Sequence, residues 1–522
     1  MNAIDGLVSW LSTSNFLAWP LGLWAFYLLA KSLYNISPLH PLYHVPGPWL
    51  SAATYLPEFY YDVVKYGRYT WQIKKMHEKY GSTRKRDKPR HQVNGLTVGR
   101  SAVATTDHDL HRKRRAPLAR YFSRNMIFRL EDEIHNLVQK LCNKVLQYQG
   151  THQPIDVTIA YSCFTTDVIS GYCFGESLGL LEQSGWYPNF RDPTIALLKP
   201  AYIFRFFPFV KHLIGLGEWF IHYLPPDAAL VIKTLKIDIP NEIKKAKNLM
   251  KAGLKNKRPT VLKTLLESEL EGREKDSQRL TDDATALIGG GTETVSWALT
   301  VITYHLLSNC ELMSKLTDEL RQAVKNPQQL PSWTTLEKMP YLSGVILEGL
   351  RLSYGVSART ARIPTKETLV YQGEWNDHHL EYRIPPGYPI GMSPAITHHD
   401  ERVFPDSFAF KPERWLEDGH DFNKELDRGM LAFSKGSRAC LAKKYVGTLR
   451  SGSLIAWHFA VHADTIHSLA MCELYLTLAA LSLRVFPHMR LYETTERDVL
   501  YDHDMLIPGI PHGSKGVRVV IE

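Results

Sequence analysis

The chain has 522 residues, 44% of them hydrophobic and 22% charged. Wholesale disorder and fibrous repeats are therefore excluded, and the length suits one large domain or two to three small ones. Six scattered cysteines (Cys142, Cys163, Cys173, Cys310, Cys440, Cys472) with no C-x-x-C pair argue against a disulfide scaffold and a structural zinc site. The balance of 62 Lys+Arg against 53 Asp+Glu gives +9, which suits anionic lipid or an acidic protein partner and is too diffuse to imply nucleic acid.

Residues 6–30 contain no Asp, Glu, Lys or Arg, and 17 of these 25 are apolar. Such a run is expected to span a bilayer once, with Trp10, Trp19 and Trp24 near the interfaces. The only charge before the run is Asp5, and the first basic residue is Lys31, so a cleaved signal peptide is disfavoured. The positive-inside rule then leaves the rest of the chain in the cytosol. Residues 1–32 are read as this membrane anchor and 33–50 as a stiff hinge carrying Pro38, Pro41, Pro46 and Pro48. Residues 51–522 are read as the working body.

Helical periodicity dominates that body, over 128–148, 157–174, 240–255, 280–307, 310–325 and 340–353. Short strand signals fall between 358 and 387, and GSKGVRVVI predicts a closing hairpin around Gly513 to Gly516. The fold class is therefore mainly α with a small β part. The helix over 280–307 runs ~42 Å, long enough to cross a whole domain. Its three consecutive glycines, 289–291, each cost about 1 kcal/mol in a helix, which predicts a kink or a close approach there. Glu348 and Arg351 stand at i, i+3 on one helical face, inside the apolar stretch VILEGLRLSYG.

The strongest local signal is Phe433-Ser434-Lys435-Gly436-Ser437-Arg438-Ala439-Cys440-Leu441-Ala442. Lys435 and Arg438 beside a cysteine favour its thiolate, and Gly436 lets backbone pass close to a flat ligand. This segment resembles the haem-binding loop of the cytochrome P-450 superfamily, with Ala442 in place of the commoner glycine. Gly290-Gly291-Thr292-Glu293-Thr294, Glu348-Gly349-Leu350-Arg351 and Lys411-Pro412-Glu413-Arg414-Trp415 match the same family in the right order. TDHDLHRKRR and YCFGES read like its fungal microsomal branch, whose members, trichodiene oxygenase-like ones included, mostly tailor secondary metabolites such as terpenoids.

The resemblance implies a cytochrome P-450 fold in which Cys440 is the thiolate ligand of haem b iron. It makes Arg438, Arg115, Arg362 and, less directly, His111 the propionate partners. Thr294 and Glu293 would deliver protons, and Glu348, Arg351 and Arg414 would form a structural triad. The implied activity is insertion of one oxygen atom of O₂ into a hydrophobic small molecule. Electrons would come from NADPH through a flavin-bearing cytochrome P-450 reductase, at the endoplasmic reticulum membrane with the catalytic domain facing the cytosol. Intact Glu293 and Thr294 weigh against the alternative of a reductase-independent haem-thiolate isomerase or dehydratase.

Two stretches depart from the family. Some thirty residues are missing near Ser82, where a strand pair would form the heart of the small sheet. About two dozen extra residues, KKYVGTLRSGSLIAWHFAVHADTI at 443–466, separate the cysteine loop from its supporting helix, recognisable as Ser468-Leu469-Ala470-Met471-Cys472-Glu473-Leu474-Tyr475. Both flanks of each lesion fit the family. The reading is a skipped exon piece near 82 and an unspliced intron at 443–466, with a degenerate, non-functional haem protein as the rival.

Overall fold

The computed structural model describes residues 13–80, 88–210, 223, 225–251, 260–375, 378–417, 421–441 and 469–522. The expected deletion near 82 and insertion at 443–466 both lie outside the described residues. The chain divides into two compact units, one of residues 1–86 with 362–391, the other of 87–361 with 392–522.

In the first unit, helix α1 (Thr13–Ile36) is 24 residues long and contains Pro20. It displays Trp19, Leu21, Leu23, Trp24, Phe26 and Leu29 to the outside. The expected membrane-spanning helix is not met as drawn: no helix among the described residues is long and apolar enough to cross a membrane. Residues 6–12 of the expected span lie outside the described ones. Helix α2 (Tyr69–Tyr80) follows. Strands Leu369–Trp375 and His378–Ile384 pair antiparallel, Leu369 opposite Ile384 and Trp375 opposite His378. The strand signal around 358–363 yields only an isolated bridge from Arg362 to Ile390. Among the described residues this hairpin remains a two-stranded sheet.

The second unit is helical and holds the main core. Its principal helices are α3 (His108–Tyr121), α4 (Glu131–Leu146), α5 (Val157–Phe174), α6 (Arg191–Leu198), α7 (Ile239–Lys251), α8 (Val261–Glu267), α9 (Ser277–Ser308), α10 (Cys310–Ala323), α11 (Pro340–Ser353) and α12 (Leu469–Arg484). Helix α5 begins at Asp156, whose carboxylate accepts the Thr158 N–H at 2.8 Å, and ends at Gly175 with φ +93°. These are the N-cap and left-handed C-cap that stop a helix cleanly. Helix α11 starts with proline, and the Glu319 carboxylate of α10 takes the orphan N–H groups of Tyr341 and Leu342, both at 2.8 Å.

Helix α9 is the axle, 32 residues or ~48 Å long. The helix is continuous through the glycines, and of the two expectations the close approach is met: a Cβ on Gly291 would lie 2.6 Å from Ile169 of α5. Farther along, a Cβ on Gly349 of α11 would collide with the Ile302 side chain of α9. Helix α12 is buried from Leu469 to Ser482, and each fully buried leucine there contributes roughly 1.5–3 kcal/mol. Its Tyr475 hydroxyl meets the Ser343 hydroxyl of α11 at 2.8 Å.

The closing segment corrects the sequence reading. Gly513 and Gly516 have positive φ, but Arg518–Ile521 forms no hairpin with the residues before it. It runs antiparallel between Ile155–Asp156 and Met489–Leu491 as the centre of a three-stranded sheet. The reason is its alternation: Val517, Val519 and Ile521 are buried, and a strand gains most where both of its edges are paired.

Candidate active site

The cysteine loop is a sequence of tight turns. The Leu431 carbonyl accepts the Ser434 N–H at 2.7 Å, Gly436 accepts Ala439 at 3.0 Å, and Phe433 accepts Cys440 at 2.9 Å. Gly436 sits at φ +79°, where a side chain would be strained. Cys440 emerges from these turns exposed.

The cations around it are placed differently from the sequence expectation. Lys435 turns back and donates to the carbonyls of Asp427 and Arg428 at 2.7 and 2.6 Å. Arg438 is buried and donates to the carbonyls of Thr105 and Thr106 at 2.6 and 2.7 Å, fastening the loop to the approach to α3. Arg115 of α3 reaches the Cys440 carbonyl at 3.4 Å, and the sulfur's negative charge favours its guanidinium against the burial that lowers its pKa. His111, one turn earlier, is buried, and its pKa is pushed down to about 3 by burial and then by Arg438, Arg115, Lys88 and His108. It is therefore a neutral imidazole. Every charged group acting on it is a cation. Arg438 and Arg115 thus both act on His111, and Arg115 also reaches Cys440, whereas Arg362 belongs to the other unit, where its backbone bridges Ile390.

On α9, Gly289 and Gly290 face open space: an added Cβ would have nothing within 4 Å. The Thr294 hydroxyl lies four residues on and donates to the Gly290 carbonyl at 2.8 Å. Glu293 is turned away into the protein. It is buried, lies 3.7 Å from Arg191 of α6, and burial lifts its carboxyl to about 7.

Glu348, Arg351 and Arg414 meet in one buried cluster. Arg351 grips Glu348 with two hydrogen bonds at 2.9 and 2.8 Å, and Arg414 Nε donates to it at 2.9 Å. Sequence reasoning overlooked three members of this neighbourhood. Trp415 Nε1 and the Lys411 N–H also donate to Glu348, each at 2.9 Å. His398 accepts the Leu431 N–H on Nε2 at 2.8 Å, so its proton is on Nδ1, which donates to the Arg351 carbonyl at 2.7 Å. His398 thus couples the ion cluster to the residue that opens the cysteine loop. Burial holds its pKa down to about 3. The motif THHDE was visible in the sequence, but which of its two buried histidines joins the ion cluster was not.

Chemically, the arrangement fits a flat, dianionic ligand held through sulfur. It offers an exposed thiol, a cationic field without a carboxylate among the groups acting on His111, and a glycine stretch with room beside it.

Comparison with known proteins agrees with this. The sequence profile described as cytochrome P450 matches residues 70–444. The chain is 34% identical over 533 aligned residues to the cytochrome P450 monooxygenase tpcC of Cochliobolus heterostrophus, covering 95% of each. It is 36% identical over 449 residues to the cytochrome P450 monooxygenase ppzE of Metarhizium majus, covering 77% of this chain and 92% of that one. It is 32% identical over 513 residues to the cytochrome P450 monooxygenase TRI4 of Trichoderma arundinaceum, covering 92% and 91%.

Proposed function

The chain belongs to the cytochrome P450 family, and on that premise we propose that this monooxygenase inserts one oxygen atom of O₂ into a hydrophobic small molecule of fungal secondary metabolism. Bound through the Cys440 thiolate, haem b supplies the activation of dioxygen. Cys440 presents the sulfur, and the turns from Leu431 to Cys440 fix its direction. Arg115, Arg438 and His111 supply the positive and donor groups for the two carboxylates of such a cofactor. Thr294 holds a hydroxyl at the open face of α9, and Glu293 holds a proton near neutrality behind it. The Glu348–Arg351–Arg414 cluster does no chemistry and anchors the loop through His398.

Electrons come from NADPH through a flavin-containing cytochrome P-450 reductase in this reading, at the cytosolic face of the endoplasmic reticulum. The apolar side chains exposed along α1 support attachment to a bilayer there. The observation that carries the proposal is the exposed Cys440 at the end of its turn series beside Arg115. Its test is the carbon monoxide difference spectrum of the reduced, expressed chain. A red-shifted Soret band that Cys440→Ala abolishes supports the reading; its absence from haem-loaded protein overturns it.

A second reading concerns the chain as written. The family profile stops at residue 444, the second residue of the stretch 443–466. This supports an unspliced intron there, so that the spliced product, rather than this one, is the competent enzyme. Sequencing the transcript decides it: a spliced message that still encodes KKYVGTLRSG refutes the intron.

A further inference from the structure

Tyr354 ends helix α11 in a strained conformation. Its φ is +60°, at the C-terminal stop of the helix, where glycine or asparagine is usual. Gly355 follows, and a Cβ there would lie 2.5 Å from the carbonyl oxygen of Ala432, just before the cysteine loop. A bulky residue kept buried in this backbone region points to a use for its side chain.

The Tyr354 hydroxyl lies 2.7 Å from His399 Nε2, His399 Nδ1 lies 3.1 Å from Ser407 Oγ, and Ser407 Oγ donates to Glu401 Oε1 at 2.6 Å. The direction of every bond follows from the last one. Glu401 is exposed, and the Ser407 hydroxyl and N–H hold its carboxyl below the usual range, so it is a carboxylate and only accepts. The single hydroxyl proton of Ser407 goes to Glu401, so Ser407 accepts from His399 Nδ1–H. Nε2 of the neutral imidazole is then bare, and Tyr354 donates to it. Tyr354, His399 and Ser407 are buried and Glu401 is not, so phenol, imidazole, hydroxyl and carboxylate form one hydrogen-bonded line from the interior to solvent.

Aromatic rings enclose the inner end. The Phe408 ring stacks on His399 with centroids 4.1 Å apart, and the Tyr354 ring lies 5.2 Å from Tyr501 and 6.0 Å from His398. Burial raises the pKa of the Tyr354 phenol, and the Arg351 charge opposes this only in part. The phenol is therefore protonated at neutral pH. Loss of an electron alone would leave a cation in a buried site, which is costly. Loss of the electron and the proton together leaves a neutral ring, and His399 is placed to take the proton.

We propose that Tyr354 is a redox-active tyrosine, giving one electron to an outer-sphere one-electron oxidant while its proton passes to His399. The phenol O–H bond breaks, an N–H bond forms at Nε2, and the oxidant gains the electron. A neutral phenoxyl radical and an imidazolium remain. The imidazolium passes its Nδ1 proton to Ser407 as the Ser407 proton moves to Glu401, and return of the electron reverses these transfers. The line uses side chains that neither proton delivery from α9 nor the Glu348 cluster employs. In a chain that activates dioxygen it gives a stray oxidising equivalent a reversible resting place; this use rests on the monooxygenase reading, and the redox chemistry of Tyr354 does not.

The test is electron paramagnetic resonance of the full-length, haem-loaded chain, frozen after a light flash that generates tris(bipyridyl)ruthenium(III) in solution, with no substrate or reductase present. A tyrosyl signal is expected in the wild type. It is lost in Tyr354→Phe, which keeps the ring and drops the hydroxyl, and it survives in Tyr501→Phe. His399→Gln, whose amide accepts the hydrogen bond but not the proton, loses most of it. If Tyr354→Phe or His399→Gln fails to fold, a ring-fluorinated tyrosine at position 354 keeps the hydroxyl and alters the hyperfine pattern of the signal. Absence of the signal from the wild type, its survival in Tyr354→Phe, its loss in Tyr501→Phe, an undiminished yield in His399→Gln or a hyperfine pattern unchanged by the fluorinated ring overturns the proposal. The oxidant comes from outside and no turnover is read, so a chain inactive as a monooxygenase leaves this assignment standing, and an active one does not rescue it.

Discussion

Replacing Glu348 with glutamine removes the one carboxylate that five donors share. Oε1 accepts from Arg351 Nη2 at 2.8 Å and from Lys411 N and Arg414 Nε at 2.9 Å; Oε2 accepts from Arg351 Nε and Trp415 Nε1 at 2.9 Å. Glu348 and Arg351 have no exposure at all, so solvent does not screen the change. In Glu348→Gln two guanidinium groups lose their counter-charge, and the new amide NH₂ points a donor at donors. Breaking such a buried pair from one side costs about 3–5 kcal/mol. That is comparable with the whole stability of many domains, roughly 5–15 kcal/mol. Equilibrium urea unfolding reads it directly: with a slope of about 3 kcal/mol per molar, a loss of about 4 kcal/mol lowers the midpoint by roughly 1.3 M. Arg351→Lys should be nearly as damaging, because it abandons hydrogen bonds to Glu348, His398, Ser407 and Ala409. Arg414→Lys should be milder, since it leaves the Glu348–Arg351 pair in place. Because His398 joins the Arg351 carbonyl to Leu431, the thiolate signature in the carbon monoxide spectrum should fade in parallel. A Glu348→Gln midpoint within about 0.3 M of wild type, or an Arg414→Lys variant weaker than Glu348→Gln, would refute the claim that this cluster anchors the loop.

Two glycine substitutions should move in opposite directions. Gly349→Ala drives a methyl into Ile302 and should lose about 1–3 kcal/mol. Gly290→Ala meets nothing and should gain up to about 1 kcal/mol of helix stability in thermal melts of haem-free protein, while weakening haem uptake by filling the open face of α9. Acid should destabilise the fold through its buried histidines. The native pKa values of His111 and His398 are held at about 3, below the ~6.5 of an unfolded imidazole. The unfolded chain therefore binds more protons, and stability, full above the unfolded value, falls as pH drops toward 3. Each histidine contributes up to about 1.4 kcal/mol per pH unit, and His398→Gln should flatten the plot of urea midpoint against pH between roughly 6 and 4.5 by about one proton. Glu293 runs the other way: its native pKa is raised to about 7, so stability falls as pH climbs from the unfolded carboxyl value through 7, and Glu293→Gln should remove that limb.

Much of this molecule was legible before any fold was drawn. The helices over 157–174 and 340–353 were read to the residue, because both carry long apolar sequences bounded by recognisable stops, Gly175 after one and Pro340 at the start of the other. The cysteine loop and the Glu348–Arg351 pair were also visible, since their meaning depends on spacing within ten residues. The closing hairpin was misread because local alternation says that a strand exists and not which strands it joins; Arg518–Ile521 pairs with partners more than 360 and about 30 residues away in sequence. The apolar run over 6–30 looked long enough to span a bilayer, and only its part from Thr13 onward lies among the described residues.

Sequence alone determined the chemistry on offer: one cysteine in a turn-forming, cationic loop, a glycine-bearing helix with an acid and a hydroxyl, and a buried-looking ion pair. Tertiary structure decided which groups serve which purpose. It sent Lys435 and Arg438 to backbone carbonyls, brought Arg115 to the cysteine, and chose His398 over His399 as the link to the ion cluster. It also set Arg191 of α6 against Glu293 of α9, a hundred residues apart. The physical reason is that a charge's partner is fixed by burial and by the packing of distant helices, and neither is encoded in the few residues that surround it along the chain.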